Sequence, residues 1–325
     1  MMTFMVYKMR FPSGFHINYQ RSDYAISQRT IQSDTIMAAL TACLAQLGEE
    51  IPAGGDLGFA ICSAFPFYQA CSDSPAVYFL PKPMNISLPT ADPQELKTLK
   101  KVKWVDAKLI GKVLAGGDVF NASTAAGEFL IDARSKIKKN FIHSEAEAHV
   151  VLKDRTGEED AKPFFVDRVT FVDNSGLYFM ATGDTSKLDR ALTLLALNGI
   201  GNDRSSGLGS FSFEKSQIDI DTPSEADGLL SLSIFIPENK EQLSQMLNHD
   251  NVAFDFVRRG GWVTEAGHTS VRKNAIYGFL PGSVFRKCGN PMPGAIVDLR
   301  PSLGEFGPGH PIYRCGKGFM LPIKL

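Results

Sequence analysis

Between residues 199 and 209 the chain reads Gly199-Ile-Gly-Asn-Asp-Arg-Ser-Ser-Gly-Leu-Gly209, with glycine at 199, 201, 207 and 209. Glycine tolerates positive φ and lets a ligand approach the backbone closely. Arg204, Ser205 and Ser206 are donors suited to phosphate oxygens. The chemistry this combination suits is the holding of a polyanion. Its flanks narrow the choice. Ser186 to Asn198 predicts a helix with Leu188, Ala191, Leu192 and Leu195 on one stripe, stopped at Asn198-Gly199. Leu208 to Phe213 alternates like a half-buried strand. A dinucleotide site or P-loop needs strand, loop and helix in that order, so that a helix N-terminus faces phosphate. Here the order is reversed and no Gly-Lys follows, which argues against a nucleotide cofactor. A plain helix-to-strand turn, for its part, has no need of four glycines around an arginine.

Other reactive groups form no recognisable constellation. The histidines (16, 143, 149, 249, 268, 310) show no HExxH or HxH spacing, and the five cysteines form no CxxC pair, so neither metal nor cofactor is expected. No Gly-x-Ser-x-Gly elbow is present, and no carboxylate cluster suggests two-metal phosphoryl chemistry. Cations are more suggestive. From 95 to 140 there are ten Lys or Arg against five acids, among them Lys100, Lys101, Lys103, Lys136, Lys138 and Lys139. The same run could equally be a solvated helix face. Arg258, Arg259, Arg272 and Lys273 surround Trp262, which could stack on an unpaired base or pack in a core. Glycines 260 and 261 predict a bulge or tight turn beside it.

A helix followed by Gly-x-Gly-x-x-Arg-Ser-x-Gly-x-Gly-x-Phe and a strand resembles the RAMP superfamily of CRISPR RNA-binding proteins. Tyr7-Lys-Met-Arg-Phe11 with Gly14-Phe-His-Ile17 resembles that family's first strand, and Ser33-Asp-Thr-Ile-Met-Ala-Ala-Leu40 the start of its first helix. Arg259-Gly-Gly-Trp-Val263, Gly278-Phe-Leu-Pro-Gly-Ser-Val-Phe285 and Ile312-Tyr-Arg-Cys-Gly316 resemble one branch, the fourth subunit of the type III-A, Csm-type, interference complex. The likeness covers 4–64, 165–215 and 255–325. It implies a non-catalytic, cytoplasmic subunit that grips the repeat-derived 5′ handle of the guide RNA (crRNA). It also implies contact with the large polymerase-like signalling subunit and with a backbone subunit. The RNA contacts it suggests are the glycine-rich loop, His16, Arg21, Arg29, Ser33 and the cations named above. The alternative is an endoribonuclease that processes precursor crRNA with His16 as base, since some relatives activate a 2′-hydroxyl with a histidine. A small-molecule-binding ferredoxin-like protein is a third reading.

The elements that must position these groups follow from pattern. Residues 3–11 predict a strand, 12–32 a polar loop, 33–48 a helix capped by Ser33, 58–65 and 176–182 two more strands. With the helix 186–198 and a strand at 208–214 this gives β-α-β-β-α-β, the ferredoxin-like order, also found in RNA-recognition modules. The expected fold class is α+β, with two such modules. The first occupies 1–217 with a large basic insertion at 66–165, which the family resemblance implies projects like a thumb along guide RNA. The second, degenerate, occupies 218–325. Residues 153–161 predict an acidic loop. In bulk, 325 residues with 44% hydrophobic and 21% charged content make a globular chain with room for two cores. A net charge of −1 gives no global attraction to nucleic acid, so binding must use local patches. No signal peptide or membrane span is expected. Scattered, odd-numbered cysteines suit reduced thiols.

Overall fold

The central strand β1 (Met2–Arg10) is buried along most of its length, because it has a neighbour on each side and packing on both faces. In the computed structural model, residues 1–20, 23–88, 92–150, 163–263, 271–289, 292–304 and 307–325 are described. After β1 come β2 (Asn18–Gln20) and β3 (Asp23–Ser27), then α1 (Ser33–Gln46), β4 (Phe59–Ile61), β5 (Phe65–Tyr68) and β6 (Val77–Pro81). Next are α2 (Pro93–Lys100), β7 (Trp104–Asp106), α3 (Ala107–Leu114), β8 (Ala125–Ala126), β9 (Phe129–Leu130), β10 (Ile142–Val150) and β11 (Pro163–Phe171). The first half closes with β12 (Gly176–Gly183), α4 (Ser186–Asn198) and β13 (Ser212–Ile220). The second half holds β14 (Gly228–Ser231), α5 (Lys240–Leu247), β15 (Phe256–Arg259), β16 (Ile276–Phe279), β17 (Val284–Arg286), β18 (Ile296–Asp298), β19 (Tyr313–Cys315) and β20 (Met320–Ile323). The fold is a strand-rich α+β arrangement.

The main sheet runs β13-β1-β12-β5-β6-β7-β9-β8, with β4 also pairing with β12. Met5 lies opposite Ala181 on β12 and Gln217 on β13, both pairings antiparallel. Helices α1 and α4 pack against each other. The stretch at 66–165 does not stand apart as a whole. Its strands β5 to β9 extend the main sheet, because Phe67, Phe79, Val105, Phe129 and Leu130 are apolar enough to be buried in the main core. Among the described residues of this stretch, β10 pairs apart from the main sheet, with β11, and the acidic stretch at 153–161 lies outside the described residues. The expected loop at 12–32 contains the β2–β3 hairpin. The strand expected from 208 starts at Ser212, because Gly209 and Phe211 donate their amides to Gly14 and Ala196.

Beyond residue 218 the strands fall into small sheets: β17-β14-β20, β15-β16 and β18-β19. Leu230, Leu232, Leu321 and Ile323 join the main core, while Phe235, Met246, Phe279 and Phe285 centre a second, smaller one.

The two halves are joined at the start of α1. Ser33 does not cap the helix: the N-cap is Gln32, without a side-chain bond. The Ser33 hydroxyl instead accepts the amide of Ile234, and its own amide donates to the Ser63 hydroxyl. Beside it the wholly buried Asp34 carboxylate takes two bonds from Arg259, at 2.7 and 2.9 Å, and one from Arg314, at 2.8 Å. Removing one partner of a buried ion pair leaves an uncompensated charge and costs roughly 3–5 kcal/mol. Asp34→Ala should therefore lower unfolding stability by about that much, read as a shifted urea midpoint. Removal of the exposed Arg258 should change it by about 0.5 kcal/mol or less. Equal effects of the two would contradict this assignment.

Candidate nucleic-acid interface

The glycine-rich loop is seated on the segment after β1. The Gly209 amide donates to the Gly14 carbonyl at 2.9 Å, and the Asn202 amide to the His16 carbonyl at 2.8 Å. All four expected glycines have positive φ, as does Asp203. At two of them close approach matters as well: a Cβ on Gly201 would collide with the His16 carbonyl oxygen, and one on Gly209 with that of Ile200. Above this seat the turn Arg204–Ser206 is exposed. The Ser206 hydroxyl donates to the Asp203 carbonyl, whereas the Arg204 guanidinium has no hydrogen-bond or ion-pair partner among the described residues. A fixed backbone thus presents a free cation on a turn whose Ser206 and Gly207 amides are already bonded to the Asp203 and Arg204 carbonyls.

His16 lies beneath this loop. It is fully buried, with Nδ1 bonded to the Asp167 carbonyl at 2.6 Å and Nε2 to the Asn18 side chain. Both ring nitrogens are engaged, so the expected contact with RNA, and the expected basic nitrogen, are not offered at the surface. Ser33 is likewise buried, for the reason given above. Arg21 lies outside the described residues.

Four of the expected cations meet in one cleft of about 370 Å³, lined by Arg29, Lys101, Lys103, Glu128, Lys139 and Asn140. They come from the β3–α1 connection, the turn after α2 and the segment leading to β10. Glu128 is the acid at the centre, 3.3 Å from Arg29 and 3.2 Å from Lys103. Its position is fixed because its carbonyl accepts the amides of Lys103 and Trp104. Lys101 and Lys139 have no ion-pair partner among the described residues, which leaves the cleft with surplus positive charge. Lys100 and Lys136 are exposed outside it, and Lys138 lies 3.7 Å from Asp173. Nothing in the sequence pointed to Glu128 or Asn140, since neither belongs to a motif.

The C-terminal cluster divides. Arg259 is a structural ion pair with Asp34, not a surface cation, and its Nη2 also donates to the Thr35 hydroxyl. Arg314, present in a motif but given no role from sequence, completes the site and donates to the Gly260 carbonyl. Burial pulls its guanidinium below the usual arginine range, opposed by Asp34 and reinforced by Arg259. Lys273 is half-buried, and burial, with Arg314 nearby, holds its ammonium below the usual lysine range. Arg272 stacks over the Trp262 ring at 5.0 Å, and the two residues bridge across strands. Trp262 therefore sits partly exposed under a guanidinium instead of in the core.

The face of the main sheet that carries Lys8 is closed by its own ions. Buried Lys8 lies 2.9 Å from Glu214, which also accepts from Arg10, and Lys8 holds that carboxyl below the usual carboxylate range. Among the described residues no group of three or more His, Cys, Asp or Glu is placed to hold a metal ion, and no helix is long and apolar enough to cross a membrane.

Comparison with known proteins is consistent along the chain. Residues 224–323 match the CRISPR Csm4 C-terminal domain family. The CRISPR system Cms protein Csm4 of Mycobacterium tuberculosis is 26% identical over 319 residues, covering 95% of this chain and 97% of that protein. The protein of that name from Streptococcus thermophilus is 25% identical over 312 residues, covering 92% and 93%. Among solved structures, the Csm3-Csm4 subcomplex of the type III-A interference complex gives a TM-score of 0.64 at 16% identity, covering all of both chains. A Csm1-Csm4 cassette with AMPPNP gives 0.62 at 19%, covering 100% of this chain and 99% of that one. The resemblance read from the glycine-rich loop and the C-terminal motifs is thus shown at whole-chain level.

Gly207 separates seat from crest, since a Cβ there meets nothing within 4 Å and only its φ of 90° is at stake. Gly207→Ala should cost about 1–2 kcal/mol, the strain of a left-handed non-glycine residue. Gly209→Ala adds a backbone collision and should cost clearly more, measured by chemical denaturation. The reverse ranking would contradict this division.

Proposed function

We propose that this Csm4-like chain is the guide-RNA-binding and scaffold subunit of a type III-A CRISPR interference complex, holding the 5′ handle of the crRNA without cleaving it. The observation that carries the reading is the build of the glycine-rich loop: a backbone anchored on residues 14–16 beneath an exposed crest bearing an unpaired Arg204. Arg204 and the hydroxyl of Ser205 would hold phosphate oxygens. The cleft of Arg29, Lys101, Lys103 and Lys139 would neutralise further phosphates, and Trp262 with Arg272 would face an unpaired base. Lys100, Lys136 and Lys138 would add to the local field. This division suits a chain of net charge −1, whose attraction for RNA must be local.

The order β13-β1-β12-β4 supports reading the first half as a ferredoxin-like module. The small sheets of the second half support only a degenerate relation to it. The solved Csm1-Csm4 and Csm3-Csm4 pairs support two protein partners for this chain, a large polymerase-like subunit and a backbone subunit. The endoribonuclease reading gains nothing from His16, whose ring nitrogens are both bonded in the interior.

Two measurements test the proposal. Lys101→Glu with Lys139→Glu should weaken binding to many single-stranded RNAs alike and flatten the salt dependence, by about 0.7 in log–log slope for each phosphate no longer neutralised. Weakening confined to one RNA sequence would point to base readout in the cleft instead. The purified chain should leave repeat RNA intact with or without Mg²⁺. Site-specific cutting abolished by His16→Ala in a folded protein would overturn the binding-only reading.

A further inference from the structure

A groove of about 320 Å³ lies between α5 and the β15–β16 hairpin. One wall is Leu243 and Leu247, one turn apart on α5, and the other is Phe254, Phe256, Tyr277 and Phe279. Phe256 is 56% exposed and Tyr277 60%. Their rings meet edge-on at 5.7 Å, and Phe254 meets Phe279 in the same way at 5.2 Å. The floor is firm, because Phe279 packs with buried Met246 and Phe285 in the second core. Large aromatic side chains held open to water around a preformed groove mark an interaction surface.

We propose that this groove docks a segment of a partner protein bearing large apolar side chains beside a carboxylate. The inference rests on the reading of the chain as a subunit of a multiprotein complex. The carboxylate follows from Arg258. It lies directly across the hairpin from Tyr277, is exposed, and has no ion-pair partner among the described residues. A complementary charge there would fix the register of the docked segment, while the aromatic rings supply the desolvated centre. An unpaired nucleobase suits the groove poorly. Apart from the Tyr277 hydroxyl, no polar side-chain group lines it, so the donors and acceptors of a base edge would leave water unpaired. Apart from Arg258, the cations that would follow an RNA backbone are gathered at the other sites.

The test uses the full-length chain with Phe256→Asp, Tyr277→Ala and Arg258→Glu, each confirmed as folded by thermal melting. Binding is measured separately to the purified large polymerase-like subunit, to the purified backbone subunit and to crRNA. Phe256→Asp should weaken binding to one protein partner at least tenfold, and Tyr277→Ala and Arg258→Glu severalfold. Affinity for crRNA should be unchanged in Phe256→Asp and Tyr277→Ala. Should Phe256→Asp fail to fold, the other two exposed positions carry the test. Unchanged binding to both protein subunits overturns the groove while leaving the scaffold reading intact. Lower crRNA affinity with unchanged partner binding assigns the groove to a base and overturns the proposal. A wild-type chain that binds neither subunit overturns the scaffold reading and this one together.

Discussion

One carboxylate, that of Asp34, serves two guanidiniums from the far end of the chain, and the arrangement of the two halves depends on it. Burying three charges is expensive, and the cost is offset only when every remaining donor finds a partner. Here the geometry goes part of the way to that demand: Arg259 also reaches the Thr35 hydroxyl and Arg314 the Gly260 carbonyl. Alongside, the Ser33 hydroxyl accepts the Ile234 amide and the Ser63 hydroxyl accepts the Ser33 amide, which links α1 to residue 234 and to the β4–β5 connection. The start of α1 is therefore a junction, and the hairpin that carries Trp262 and the aromatic groove is oriented by it.

A nearly neutral chain that binds a polyanion has to sort its cations. Some are committed internally: Lys8 and Arg10 to Glu214, and Arg259 and Arg314 to Asp34. Others are gathered with few counterions, as in the cleft around Glu128. The single acid in that cleft is useful. It holds Arg29 and Lys103 in place while leaving Lys101 and Lys139 unpaired, so the surplus charge has a defined position. The glycine-rich loop works by the same logic with backbone instead of side chains, since its seat on residues 14–16 fixes where Arg204 stands.

The long segment from 66 to 165 shows how apolar content draws a lysine-rich stretch into a sheet. The family resemblance suggested a thumb-like projection, yet Phe67, Phe79, Val105 and Phe129 recruit much of it into the main sheet. Lysine stems tolerate this readily, since their heads stay in water while the strands between them pack. Only the β10–β11 hairpin, with an exposed burial pattern along β10, remains outside.

Local signals carried much of this in the amino-acid order itself. The glycine-rich loop, the α4 stripe and the strands β1 and β12, each taken alone, depend on residues within a few positions of one another, so periodicity and turn chemistry suffice to place them. The same holds for the positive φ of the loop glycines, which residue type alone anticipates. What lay beyond reach were facts that join distant residues. Asp34 stood inside the Ser33-to-Leu40 motif and Arg259 read as an RNA contact, because no local pattern says that residues 225 positions apart share a buried ion pair. His16 read as a base or a phosphate ligand until packing against Asp167 and Asn18 closed both of its nitrogens. The cleft of Arg29, Lys101, Lys103 and Lys139 exists only once the β3–α1 connection, the turn after α2 and the approach to β10 converge on Glu128. Sequence determines which groups can bind phosphate; burial, which depends on the whole fold, decides which of them are free to do so.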